Sequence, residues 1–189
     1  MEKGHGVFCI EGEWERDLRD QSSIRPLVEF LANSDNQVAP IYRRAATIDT
    51  FSYFVSQWKD YPAHTIGYFS FHGEKGSLSL GRDRLDLSSL GALLKGACKN
   101  KHIVLSSCQT LNVPGEQLAA FRRQTGARSV SGYRKSPDWI EASAFDVILM
   151  TNLLYHDSPS RTEAWLLKRC AGLMDAYGFV IDYRSRVRS

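Results

Sequence analysis

Two apolar runs decide the fold of this chain. Ile66-Gly67-Tyr68-Phe69-Ser70-Phe71 stops at His72-Gly73, and His102-Ile103-Val104-Leu105-Ser106 stops at Ser107-Cys108-Gln109. Each run is short and rich in β-branched and aromatic residues, so both are expected to be strands. Between them lie enough residues for a hairpin and a helix, the connection length that neighbouring parallel strands need. Parallel neighbours would bring His72 and Cys108 to one edge of the sheet. The carboxyl ends of parallel strands are where side chains leave the core and face a crevice. The pair therefore reads as a Cys/His dyad.

The segments around these strands predict an alternating scaffold. Upstream, residues 6–12 form an apolar strand closed by Gly12. Ser22-Ser23 offers an N-cap for a helix bearing Ile24, Leu27, Val28, Phe30 and Leu31, which ends at Asn33-Ser34-Asp35-Asn36. Residues 38–42 form a second strand, and Pro40 within it argues for a sheet edge. Thr47 and Asp49 open a helix with Ile48, Phe51, Phe54, Val55 and Trp58 on one face, and Pro62 follows its end. After His72, the alternation in residues 77–87 around Gly81-Arg82-Asp83-Arg84 predicts a small antiparallel hairpin flanking the site. Ser88 or Ser89 would cap the next helix, which carries Leu90, Leu93, Leu94 and Ala97.

Downstream of Cys108, residues 114–124 are helical with Gly126 as C-cap, and residues 127–132 form a fifth strand. A polar loop at 133–139 precedes helices near 141–154 and 160–176, and residues 179–183 close the chain as a strand. The order predicts an α/β three-layer sandwich: a mainly parallel sheet, helices on both faces and a small β-hairpin. No repeat or low-complexity block divides it, so residues 1–189 are expected to form a single domain.

Composition narrows the function classes. The chain has 189 residues, 43% of them hydrophobic and 24% charged, enough for one well-buried core. A formal net charge of +3 is modest and dispersed, apart from Arg184, Arg186 and Arg188 in the tail. That balance disfavours a nucleic-acid groove. There is no apolar run of membrane-spanning length, and Met1-Glu2-Lys3-Gly4 does not begin a signal peptide, so no membrane contact and a cytoplasmic location are expected. Cys9, Cys98, Cys108 and Cys170 lack metal-ligand spacing, so neither a metal nor a cofactor is expected, and a reducing compartment leaves four free thiols. Cys9, Cys98 and Cys170 are explained by packing.

Tyr68-Phe69-Ser70-Phe71-His72-Gly73, Ile103-Val104-Leu105-Ser106-Ser107-Cys108-Gln109-Thr110 and Thr125-Gly126-Ala127-Arg128-Ser129-Val130-Ser131-Gly132 together resemble the CHAT branch of the caspase-like cysteine proteases, the clan that includes separase. The resemblance spans residues 65–154. It implies a caspase-like fold, a cysteine endopeptidase and a bacterial-type role in regulated proteolysis such as defence or programmed cell death. The family often carries an acidic residue directly after the nucleophile, where this chain has Gln109. CHAT domains are also commonly attached to helical repeats or sensor modules that this sequence does not contain. Activation is therefore expected to come either from an activating or sensor protein in another chain or from a simple constitutive activity, and the expected substrate is a protein or peptide.

The chemistry follows from the residues themselves. A thiol at neutral pH is only partly ionised, and a neighbouring imidazole that takes its proton turns it into a nucleophile. Cys108 would attack, and His72 would act as base and then as acid. Gly73 leaves its backbone open to close approach, so its N–H and that of Cys108 form the expected oxyanion hole. His5-Gly6 is a rival His-Gly, but it precedes its strand and belongs at the opposite sheet edge. His64, His102 and His156 read as structural or surface residues. Glu11 and Glu13 after the first strand, and Asp138 in the loop after the fifth, are candidate substrate-binding carboxylates for a basic P1 side chain. Arg134 and Lys135 in that loop argue the other way, and all five also read as solvated loop charges. The alternative to an enzyme is a catalytically silent binding or scaffold module using the hairpin and the 133–139 loop.

Overall fold

The computed structural model describes residues 5–17, 19–33 and 39–184. Strands β1 (Gly6–Glu11), β2 (Ile41–Arg44), β3 (His64–Ser70), β7 (His102–Ser106), β8 (Ser129–Tyr133) and β9 (Phe179–Tyr183) form a six-stranded sheet in the order β2-β1-β3-β7-β8-β9. All neighbours are parallel except β9, which runs antiparallel to β8. A second sheet of β4 (His72–Glu74), β5 (Ser77–Leu80) and β6 (Asp83–Asp86) is antiparallel. The expected hairpin is thus a three-stranded flap. The main-sheet strand ends at Ser70, and His72 opens the flap, because its backbone pairs with Ser79.

Side chains alternate across the pleat and divide the core in two. Phe8, Ile10, Phe69, Ile103 and Leu105 face helices α2 (Ile48–Gln57), α3 (Leu87–Leu94) and α4 (Gly115–Thr125). Val7, Cys9, Ile66, Tyr68 and Val104 face α1 (Arg25–Ala32), α5 (Trp139–His156) and α6 (Pro159–Tyr177). The protein is therefore α/β with three layers. Burial on both faces is why these strands read as continuous apolar runs. Gly67 sits in the middle of β3 because a Cβ there would lie 2.4 Å from the Trp58 ring, which stacks on Phe8.

The caps show which local signals prevailed. Thr47 caps α2 by accepting from the Thr50 amide, and Gly126 ends α4 in the left-handed conformation, as expected. Asp86, not Ser88 or Ser89, caps α3, accepting from the Ser89 amide. No side chain caps α1: the Ser22 hydroxyl donates to Asp20 and the Ser23 hydroxyl to Glu11. Of the expected second strand, Val38 lies outside the described residues, and the strand observed, Ile41–Arg44, lies two to three residues later at the sheet edge. Arg186 and Arg188 also lie outside. Among the described residues, no helix is long and apolar enough to cross a membrane.

The strand order creates the site. From β1 the chain passes through α1 to β2 on one side, then through α2 to β3 on the other. The segments leaving the carboxyl ends of β1 and β3 therefore diverge, and such a reversal opens a crevice.

Candidate active site

A cavity of about 300 Å3 occupies that crevice. Trp14 reaches it from the segment after β1, His72 from the flap after β3, Cys108 from the turn after β7 and Pro137 from the loop after β8. Ser70 and Ser106 are paired in register, and His72 and Cys108 each lie two residues beyond this rung. The structure thus brings the two expected reactive residues to one cavity, although His72 arrives on the flap. His72 is exposed and Cys108 half-buried.

The Nε2 of His72 lies 2.7 Å from the carbonyl oxygen of Trp14. A carbonyl only accepts, so Nε2 carries the proton in this contact, and Nδ1 of the neutral ring keeps its lone pair. The Trp14 indole meets the imidazole edge to face at 5.3 Å and meets Trp139 at 6.1 Å. His72 is therefore held by a backbone acceptor and an aromatic ring.

The nucleophile turn is tied to the flap and to the β8 loop. Gln109 has φ 55, a left-handed conformation that turns the chain sharply after Cys108. Its amide donates to the Lys135 carbonyl, its side chain donates to Ser136, and the Leu111 amide donates to Tyr133. The Thr110 hydroxyl lies 3.1 Å from the Ser77 carbonyl and 2.7 Å from the Ser107 hydroxyl. Gly73 packs directly on this turn, where a Cβ would lie 2.5 Å from the Cys108 carbonyl oxygen. Only glycine permits that approach, and it brings the two expected oxyanion residues together.

The three expected substrate carboxylates are not on the cavity wall. Glu11 is fully buried and accepts from the Trp14 indole, the Ser23 hydroxyl, the Ile24 amide and the Tyr42 hydroxyl. Burial and the Glu11 carboxylate push Tyr42 up to about 12, so it remains a donor. Glu13 is exposed and does not line this cavity. Asp138 caps α5, accepting from the Ile140 and Glu141 amides. Arg134 and Lys135 are also absent from the wall, and the Lys135 ammonium donates to the Asp175 carbonyl.

The acidic groups the sequence reading missed are Glu15, on the wall, and Asp146, beneath the floor. Asp146 lies on the buried face of α5 and is 1% exposed. Its Oδ2 accepts from Ser106 at 2.6 Å and Tyr68 at 2.9 Å, and its Oδ1 accepts from Tyr133 at 2.5 Å. Burial raises it to about 6, against the lowering effect of the three hydroxyls. Burial together with the Asp146 charge holds Tyr68 and Tyr133 well above the ordinary phenol range. Ser106 and Tyr133 line the cavity, so this carboxylate is one hydroxyl away from it. The available signal was a lone carboxylate inside the apolar helical stretch from Ala142 to Met150.

Of the three cysteines expected to be buried by packing, Cys9 and Cys98 are, whereas Cys170 is half-buried. Burial raises Cys98 to about 11 and Cys9 well above the ordinary thiol range. His5 lies at the amino edge of the sheet beside Thr65, as expected. His102 is fully buried between Ser129 and Asp157 at that same edge. Among the described residues, no cluster of three His, Cys, Asp or Glu side chains could hold a metal ion.

Fold and site together define a three-layer α/β protein with a histidine and a cysteine on one cleft at the carboxyl edge of its sheet. The chain belongs to DUF6642, a family of unknown function, whose model matches residues 4–183. No curated protein matches it.

Proposed function

We propose that this protein is a caspase-like cysteine endopeptidase of the CHAT type, with Cys108 as nucleophile and His72 as general base and acid. The observation that carries the proposal is the His72 contact: Nε2–H is engaged by the Trp14 carbonyl, on a ring that shares its cavity with Cys108. Nδ1 then takes the Cys108 thiol proton, and the sulfur attacks the scissile carbonyl carbon. The oxyanion is held by the Gly73 and Cys108 amides. His72 returns the proton to the departing amine, leaving a thioester. Water, deprotonated by His72, cleaves the thioester to a carboxylate and restores the thiol.

The cavity favours a basic P1 side chain. Trp14, Phe71, Tyr133 and Pro137 supply walls for an aliphatic stem. Glu15 on the wall and Asp146 behind Ser106 supply negative charge, and among the described residues neither lysine nor arginine lines the cavity. A cytoplasmic setting, an activator in another chain and a role in regulated proteolysis belong to the same proposal. A second reading, a silent binding module, draws on Trp139 and Ile140, which are 40% and 65% exposed beside the cavity.

The test pairs limiting thiol alkylation, read by mass spectrometry, with a peptide-library digest. Selective labelling of Cys108 that is lost in His72→Ala, with cleavage after arginine or lysine, is the expected result. Equal labelling of Cys108 and Cys170 with no cleavage would refute the enzyme and favour the binding module.

A further inference from the structure

The segment that holds His72 has no regular structure of its own. Residues 12–17 and 19–24, between β1 and α1, form neither helix nor strand. No backbone ladder therefore fixes the Trp14 carbonyl, although it is the acceptor for His72. The buried side chain of Glu11 holds this segment instead. Its Oε1 accepts from the Trp14 indole at 2.5 Å and the Ile24 amide at 2.8 Å. Its Oε2 accepts from Ser23 at 2.7 Å and from Tyr42. These contacts join the start of the segment, its end and the edge strand β2 at one point.

We propose that Glu11 is a positioning residue for the candidate base, clamping Trp14 through its indole so that the Trp14 carbonyl and ring hold His72 toward Cys108. The inference rests on the dyad reading of this cavity. A carboxylate is needed because all four groups facing Glu11 donate, and a carboxylate offers two acceptor oxygens. An amide in the same place turns one acceptor into a donor that faces other donors. Glu11 sits three residues before Trp14 and in register with Ser70, the last residue of β3. Its clamp therefore lies at the base of both segments that meet over the cavity.

The test needs no substrate. The rate of Cys108 alkylation by iodoacetamide is measured by mass spectrometry from pH 5 to pH 9 on the full chain and on Glu11→Gln, Trp14→Phe and His72→Ala. Trp14→Phe keeps an aromatic ring and removes only the indole donor, so it tests the clamp where Glu11→Gln fails to fold. The expected result is a neutral-pH rate about tenfold lower in Trp14→Phe, and in folded Glu11→Gln, with the profile moved toward that of His72→Ala. A wild-type pH profile in Trp14→Phe, while His72→Ala is slowed, overturns the positioning role and leaves the dyad standing. Equal rates in wild type and His72→Ala overturn the dyad, and the positioning role with it.

Discussion

Replacing Gly73 with alanine puts a methyl group where the Cys108 turn already stands. The new Cβ would lie 2.5 Å from the Cys108 carbonyl oxygen, 2.5 Å from the Thr110 hydroxyl and 2.9 Å from Ser107 Cβ. The carbonyl belongs to a turn held by the Gln109 and Leu111 amide hydrogen bonds, so it does not yield readily. The flap yields instead, moving away by roughly 1 Å before ordinary contact is restored. His72 lies next to Gly73 on the same short strand and moves with it. Overpacking of this kind costs about 1–3 kcal/mol of stability. A displacement of about 1 Å between reacting groups costs on the order of 100-fold in rate. The assay is Cys108 alkylation at neutral pH beside urea unfolding of the same sample. The expected outcome is a variant that remains folded and loses most of its His72-dependent rate. A folded variant with a rate within about twofold of wild type would refute the claim that the Gly73 approach sets the dyad geometry.

Cys108→Ala and His72→Ala are each expected to abolish peptide cleavage with little change in melting temperature, whereas Cys98→Ala and His5→Ala keep it; cleavage lost in His5→Ala and kept in His72→Ala would move the site to the other sheet edge. Asp146 is raised to about 6, so its folded pKa exceeds the unfolded value of 3.8. Its contribution is full below the unfolded value and is lost as pH rises through about 6, a loss of about 3 kcal/mol. Denaturant unfolding at pH 4 and pH 7 should show that loss in wild type and not in Asp146→Asn. Above pH 6 the same carboxylate is charged, so preference for arginine over neutral P1 residues should rise through that pH, and the rise should be absent in Asp146→Asn, where only Glu15 on the wall remains. His102 has the opposite sign: burial lowers it from 6.5, against the Asp157 hydrogen bond, so its contribution is present above 6.5 and is lost as pH falls through its lowered folded value. His102→Gln should flatten that acid limb in thermal melts, and an unchanged limb would exclude His102 as its source.

The sequence by itself determined the layers, most element boundaries within a few residues, and the placement of His72 and Cys108 just beyond the carboxyl ends of neighbouring strands. Strands such as Gly6–Glu11 and His102–Ser106 are apolar on both faces, and a strand covered on both sides writes that fact into consecutive residues. Local signals also fixed the Thr47 cap and the Gly126 stop, because each acts within one turn of chain. His72 and Cys108 were legible because strand ends and connection lengths are properties of order along the chain.

Only the tertiary structure decided what surrounds them. His72 leaves the main sheet for the flap because Ser79 offers it a backbone partner, and the composition of Phe71-His72-Gly73 does not encode that choice. Glu11 looked like a free carboxylate at a strand end, yet donors at Ser23, Ile24 and Tyr42, brought in by a loop and a second strand, enclose it. Asp146 looked like one charge in an apolar helix until Tyr68, Ser106 and Tyr133 from three different strands met it. Burial of a charge depends on groups distant in sequence that converge on it, and that convergence exists only once the sheet and α5 have packed.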